Sequence, residues 1–295
     1  MGENIKPHRP KEIDEKEEEQ LEKNLVWIFA SPRSGTSWLG NQLLTYNTLS
    51  MDEPYLGHHI ASMGIIQNRT KFTEYHQKRD SYFFCDKYED TWRYYLRKLV
   101  ANRIYAQFEN LEKKIIIKEP NGSFGCDQIL ACLPRSKFLL LLRDGRDVID
   151  SLIDAKREGG WATQLDAKPI TEKNRRQFIK NQAKIWKYRT ENLLKTFDSY
   201  DKNLKMKLKY EDLRVETKSN LKKIYEFIEV EIPESEISNR VDQYSFEKLP
   251  KDKKGEGKVT RSASPGKWKD NFSEEEQGMM NEIMEETLIK CEYEV

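Results

Sequence analysis

Apolar residues in this chain fall into short blocks set between long polar stretches. The blocks LVWIFA (25–30), KKIIIK (113–118) and KFLLLL (137–142) are continuous, the pattern of strands covered on both faces of a parallel sheet. Amphipathic runs follow two of them, TSWLGNQLL after the first and DGRDVIDSLIDAKRE after the third. A long helical pattern covers about 172–197, with Ile179, Trp186, Leu193 and Phe197 on one face. LKMKLKY (204–210) alternates apolar and basic residues, as a strand on the edge side of a sheet does. In SNLKKIYEFI, Leu221, Ile224, Tyr225 and Ile228 keep helical spacing. Ser273 with Glu276 predicts a capping box before a last helix carrying Met280, Ile283, Met284 and Leu288. Alternating strand and helix predict an α/β fold, a P-loop-like doubly wound parallel sheet flanked by helices.

Residues 1–23 are polar and charge-rich and read as a disordered or loosely helical tail; residues 24–295 read as a single domain. Within it, 51–112 is rich in aromatics and lacks a clear strand, so it is expected to be a helical insertion over the ligand-binding edge of the sheet. No internal repeat is present.

Composition narrows the partners. Hydrophobic residues make up 37% and charged residues 34% of the 295 positions, and the blockwise arrangement still supplies a core. A net charge of +1 argues against a general nucleic-acid binder, which carries a basic excess. No run of about 18 apolar residues predicts a membrane-spanning helix. The N-terminus has no apolar signal core, and Lys6 stands where a myristoylation signal needs Ser or Thr. The expected location is the cytoplasm. Cys85, Cys126, Cys132 and Cys291 form no CxxC pair and no Cys/His zinc spacing, so they read as reduced thiols, and no metal is expected.

The turn in ASPRSGTSW is where chemistry enters. The first strand ends near Ala30 and a helix begins near Gly35 to Thr36. A helix N-terminus leaves backbone N–H groups unpaired and carries positive partial charge. Gly35 lets backbone approach an anion, Ser34, Thr36 and Ser37 add hydroxyls, and Arg33 adds a charged fork. A Walker A loop would need Gly at 30 and Lys at 36; Ala30 and Thr36 stand there instead. The bland alternative is an ordinary strand–turn–helix. Further on, FLLLLRDGRDVIDSL puts Arg143 at a strand end and Ser151 about two helical turns into the next helix. Arginine's planar fork matches phosphate oxygens. Arg146 and Asp147 are left to pair with each other or with solvent; alone, this motif also reads as a solvated helix start.

Together the motifs resemble the sulfotransferase family that uses 3′-phosphoadenosine 5′-phosphosulfate (PAPS). PRSGTSWL is similar to that family's 5′-phosphosulfate loop, and RDGRDVIDS to its 3′-phosphate motif, with Arg143 and Ser151 at the family's spacing. KYEDL (209–213), with Tyr210, resembles the segment beside the adenosine, and RSASPGKWKDNFS (261–273) the late loop that closes over the nucleotide. There Arg261 matches a 3′-phosphate contact and Gly266 and Trp268 a G-x-W pattern, while Arg261, Ser262 and Ala263 depart from the family's frequent Arg-Lys-Gly. The resemblance covers about 25–45, 113–157 and 204–273. Arg33, where cytosolic small-molecule members carry Lys, brings the chain closer to tyrosylprotein, bacterial and carbohydrate-type members.

The resemblance implies sulfuryl transfer from PAPS to a hydroxyl, less readily an amine, without metal. It implies that Arg33 stabilises charge on the bridging oxygen and 5′-phosphate, with Thr36 and Ser37 beside it. Trp38 stacks on adenine or simply packs in the core. Lys118 in IIIKEP contacts the sulfuryl oxygens or is a surface lysine. Glu53 is the first choice as general base, since a base must reach the acceptor hydroxyl; His58 and His59 compete, and Asp52 and Glu119 are outsiders. Two rivals stand beside this reading: a P-loop kinase or NTPase, and a non-catalytic module binding nucleotide or anions. The acceptor is expected to be a small molecule, carbohydrate or lipid. Tyr55, Phe72, Tyr75, Tyr82, Phe83, Phe84, Tyr88, Trp92, Tyr94 and Tyr95 line its pocket, stack against sugars or fill a core, and Trp161 is a further candidate wall. The oligomeric state is left open.

Overall fold

The three continuous apolar blocks become neighbouring strands at the centre of one sheet. The structure, a computed structural model, describes residues 12–61, 78–81, 84–108, 110–165 and 167–295. In chain order its main elements are α1 (Glu15–Asn24), β1 (Leu25–Ala30), α2 (Thr36–Leu43), β2 (Thr48–Asp52), α3 (Leu56–Ala61), α4 (Glu89–Phe108), β3 (Lys114–Lys118), α5 (Cys126–Cys132) and β4 (Lys137–Leu142). They continue with α6 (Gly145–Ala155), α7 (Glu172–Ser199), β5 (Lys205–Lys209), α8 (Tyr210–Val215), α9 (Thr217–Phe227), α10 (Glu234–Gln243), α11 (Trp268–Asn271) and α12 (Glu274–Lys290). The strands form one parallel sheet in the order β2-β3-β1-β4-β5.

Alternate residues of each central strand enter different cores, which is why these strands read as unbroken apolar runs. Trp27, Phe29, Ile115, Ile117, Phe138 and Leu140 share one core with α4, α5 and α7. Val26, Ile28, Ile116, Leu139 and Leu141 share the other with α2, α8 and α9. After β1 the chain moves to one side of the sheet, and β4 and β5 lie on the other. β1 and β4 therefore flank the point where strand order reverses, the place where open α/β sheets bind ligands at their carboxyl edge. The last helix starts with the expected capping box between Ser273 and Glu276.

Three expectations are corrected. The N-terminal segment is no tail from residue 12 onward: Asp14 and Glu17 form a capping box, and Ile13 and Leu21 are buried in the sheet core. Its acids enter the interior because they are paired: Glu18 meets Lys98 at 2.7 Å and Glu22 meets Arg97 at 2.5 Å, both on α4. Residues 1–11 lie outside the described residues. Second, Thr48–Asp52 forms an edge strand running into the stretch expected to hold none. Its sequence, TLSMD, has no apolar run because an edge strand is half solvated. Third, Tyr55, Phe84, Tyr88, Tyr94 and Tyr95 are exposed, so they do not fill a core; α4 instead buries Val100, Ala101, Ile104 and Tyr105. Phe72, Tyr75, Tyr82 and Phe83 lie outside the described residues.

Candidate active site

The loop from Ser31 to Gly35 leaves β1 and turns sharply into α2. Gly35 sits at φ +89°, a left-handed conformation, as the N-cap of α2. A Cβ there would lie 2.5 Å from the Tyr210 ring, so only glycine fits both the backbone and the neighbour. Arg33 holds a left-handed φ of +71°, a strained choice for a side chain of this size. Ser34 is fully buried and its Oγ has no hydrogen-bond partner; Thr36, the first residue of α2, is buried and Ser37 is exposed.

Three arginines converge here. Arg143 follows β4, next to β1 in the sheet, and its Nη1 donates to the Arg33 carbonyl at 2.7 Å. Its guanidinium lies over the Tyr210 ring at 4.6 Å, and its Nε is buried without a partner. Arg33 Nε donates to Ser151 Oγ at 3.0 Å, Nη2 donates to the Val259 carbonyl at 2.7 Å, and the guanidinium lies 5.3 Å from the Trp161 ring. Burial, followed by repulsion from Arg143 and Arg261, lowers the Arg33 pKa to about 10. Two unpartnered buried polar groups and a cluster of mutually repelling cations fit a multiply charged phosphate ligand, which would satisfy the first and neutralise the second.

What holds the late loop has no local sign in the chain. Three acids on one face of α6 receive it. Asp154 accepts from the Gly257 N–H at 3.0 Å; Asp150 pairs with Arg261 and accepts from Asn271 Nδ2 at 3.1 Å; Asp147 accepts from the Gly266 N–H at 2.7 Å and the Trp268 N–H at 3.3 Å. Asp147 therefore pairs with neither Arg146 nor solvent. Arg146 is itself buried, bound to Asp144 at 2.8 Å and stacked 4.1 Å over Trp268. The i, i+3, i+7 spacing of the acids was visible, but nothing local marks their partners. Ala263, at the third position of the departing Arg-Ser-Ala, takes a left-handed φ of +51°, so the chain keeps there a backbone shape that glycine adopts more easily.

The other half of the site lies at the ends of β2 and β3. Lys118 is buried; its Nζ donates to Ser37 Oγ at 2.8 Å, pairs with Asp52, and lies 3.5 Å from Glu53 Oε1. It thus bridges the phosphate loop and the candidate base, and is not a surface lysine. Glu53, at φ +47°, keeps a partly exposed carboxylate that accepts from Asn121 Nδ2 at 2.7 Å and from the Tyr55 hydroxyl at 3.4 Å. His58 lies on α3 with its ring edge-on to Tyr55 at 6.2 Å and to His59 at 5.7 Å. Trp38 stands edge-on to Tyr210 at 6.1 Å, donates Nε1 to the Tyr244 carbonyl at 3.1 Å, and has Arg214 over its ring at 5.5 Å. Asn121, Asp150 and Trp161 are thus drawn in beside residues that the motifs singled out.

Glu119 is fully buried, and its two oxygens accept from the backbone N–H groups of Tyr55 and Gly57, each at 3.0 Å. It fastens the loop that carries Glu53. Burial outweighs those two bonds and raises its pKa to about 7, from the usual value of 4.5. The folded chain then holds a proton that the unfolded chain has lost, so this carboxyl's contribution to stability falls as pH rises from about 4.5 to 7. Glu119→Gln is expected to flatten that part of the stability–pH curve, as read from denaturant midpoints across the window. An unchanged slope would show that Glu119 does not titrate there.

Comparisons with known proteins agree with this arrangement. The family model described as the sulfotransferase domain matches residues 23–292. No curated protein matches the sequence. Among solved structures, mouse sulfotransferase SULT7A1 complexed with PAP aligns over 90% of this chain and 85% of its own, at 13% identity and a TM-score of 0.56. Retinol dehydratase in a complex with retinol and PAP aligns over 90% and 81%, at 17% identity and 0.54. The sulfotransferase domain of the Synechococcus PCC 7002 olefin synthase aligns over 92% and 96%, at 17% identity and 0.51. At these identities the likeness is one of fold. Among the described residues no cluster of His, Cys, Asp or Glu has the form of a metal site, and no helix is long and apolar enough to cross a membrane.

Proposed function

Because the chain belongs to the sulfotransferase domain family, we propose that it moves a sulfuryl group from PAPS to a hydroxyl of an acceptor and releases adenosine 3′,5′-bisphosphate (PAP). The observation that carries the reading is the Arg143–Arg33 contact, which joins the ends of β1 and β4 into one cationic cleft. The same family match leaves the kinase and the non-catalytic module unfavoured.

PAPS, when bound, supplies an activated sulfuryl group on a nucleotide leaving group. Arg33, Ser34, Gly35, Thr36 and Ser37 hold the 5′-phosphate against the start of α2. Arg143, Ser151 and Arg261 hold the 3′-phosphate; Ser151 accepts from Arg33 and keeps its own O–H to donate. Tyr210 and Trp38 form the wall beside the adenosine, with Trp38 packed edge-on to Tyr210. Arg33 stabilises the negative charge that grows on the leaving oxygen, while Lys118 steadies the transferring group. Glu53 takes the acceptor proton, positioned by Asn121 and with Lys118 Nζ 3.5 Å from its Oε1. We also place the chain in a reducing, cytoplasmic setting, a reading that its four free, buried cysteines support. The retinol in the retinol dehydratase complex makes a small hydroxylated molecule a reasonable class of acceptor.

Calorimetric titration tests the nucleotide half. PAP should bind tightly in the presence of EDTA and ATP weakly; the reverse would restore the NTPase reading. Arg143→Ala should weaken PAP by about 10- to 100-fold, the loss of a charge-assisted bidentate contact, with much smaller change in turnover at saturation. Glu53→Gln, assayed with radiolabelled PAPS and a panel of hydroxylated acceptors, should lower turnover by about 10²- to 10⁴-fold while sparing PAP affinity. Full activity in that variant would move the base to His58.

A further inference from the structure

Arg189 occupies a stretch of α7 pinned at both ends to the carboxyl edge of the sheet. One turn earlier, Trp186 packs so closely beneath the start of α6 that a Cβ on Gly145 would lie 2.5 Å from its ring. One turn later, Asn192 donates Nδ2 to the Phe124 carbonyl at 3.2 Å. Gly145 follows β4 and Phe124 follows β3, so this part of α7 crosses the edge beside β1, the strand between them. The Arg189 guanidinium lies 4.1 Å from the Phe124 ring. Among the described residues no carboxylate neutralises it, and its buried Nε has no hydrogen-bond partner. Ser31 Oγ, just past the end of β1, is also buried and unpartnered.

A half-buried arginine whose Nε is shut off from water and unpartnered has lost hydration that nothing replaces, and cations so placed are usually paired. Burial alone lowers its pKa to about 10, with no neighbouring charge contributing. Among the described residues nothing supplies the missing anion. The donor's phosphates are already provided for by the arginines around β1 and β4. Phe124, in contrast, ends the turn that begins with Lys118 and Asn121, and that turn packs against α3: Gly125 approaches the Gly57 backbone so closely that a Cβ would lie 2.5 Å from its oxygen. Arg189 is therefore tied to the half of the cleft that holds the candidate base.

We propose that Arg189 is an anion-binding subsite for the acceptor, so that the sulfated substrate is a hydroxy acid, carrying a carboxylate, sulfate or phosphate ester in addition to its reacting hydroxyl. This rests on the sulfotransferase reading of the same cleft. The negative group pairs with the guanidinium, and the Phe124 ring beside it, with Tyr188 a further 5.8 Å away, gives the acceptor body an apolar wall.

The test uses the whole protein saturated with PAP. Three hydroxy acids, para-hydroxybenzoate, glucuronate and a hydroxy fatty acid, are titrated against their neutral methyl esters by calorimetry. At least one acid is expected to bind about tenfold or more tightly than its ester, and Arg189→Met is expected to erase that preference while leaving PAP affinity unchanged. Removing an uncompensated, half-buried charge should leave the melting temperature equal or higher; if Arg189→Met does not fold, Arg189→Lys, which keeps the charge without the planar fork, carries the comparison. Equal binding of every acid and ester, or an acid preference that survives the substitution, overturns the proposal. So does inorganic sulfate binding as well as any acid, which would mark a plain anion hole. Transfer assays separate the two layers: an intact acid preference with no transfer from PAPS sinks the sulfotransferase reading alone, and transfer without acid preference sinks the subsite alone.

Discussion

Arg33→Ala should lower turnover by on the order of 10²- to 10³-fold in a radiolabelled PAPS assay, the cost of removing one preorganised group aimed at developing charge. The side chain also ties Ser151 to the Val259 carbonyl, so PAP affinity should weaken too. Stability should move the other way. Arg33 is pushed down by burial and by Arg143 and Arg261, so its removal relieves repulsion, and the ligand-free melting temperature should hold or rise. A structural arginine would show the opposite pattern, lost stability with preserved turnover, and that result would end the catalytic assignment. Arg33→Lys should fall between, because an ammonium cannot reproduce the two-armed hold.

Gly35→Ala should be as damaging, and through a different cause. The left-handed backbone costs a side-chain-bearing residue about 1–2 kcal/mol. The new methyl would also run into the Tyr210 ring, which is buried and sandwiched beneath Arg143 and so has no room to retreat. Overpacking of this kind typically adds about 1–3 kcal/mol. Denaturant midpoints should therefore drop by the sum of the two, and PAP binding should be lost with them. Measured against Tyr210→Ala alone, adding Gly35→Ala should cost only the backbone part, because the ring that the methyl meets is gone. A single variant of unchanged midpoint would mean that the loop is looser than its geometry implies.

The sheet was legible because burial on both faces writes itself into sequence as unbroken apolar runs, and β1 and β4 have the predicted bounds. The turn after β1 was legible because a left-handed residue against an aromatic ring admits little besides glycine. β2 was not, since half-solvated TLSMD carries no apolar run, and its alternation of Leu49 and Met51 with polar residues spans only five positions. Nor was the docking of α1: Glu18 and Glu22 look solvated until the basic residues of α4 are known to lie opposite them. The same limit hid the roles of Asp147, Asp150 and Asp154. A carboxylate's spacing gives its helix face, while its partner, a backbone N–H more than a hundred residues away, has no side-chain signature at all. Arg189 was silent for a related reason, being one basic residue among many on a long amphipathic helix.

Arg33 gathers segments that the chain delivers at very different times. Its hydrogen bonds reach a serine 118 residues away and a carbonyl 226 residues away, and it receives one across 110. A nascent chain on the ribosome therefore holds the phosphate loop long before it holds the Val259 segment that aims the guanidinium. Nucleotide capture becomes available only once the Val259 segment has been made and is lost with the first large-scale opening of the molecule. Any ligand held there draws on contacts spread across the domain, and its binding energy protects every element, α1 included, against those openings that also dismantle the cleft.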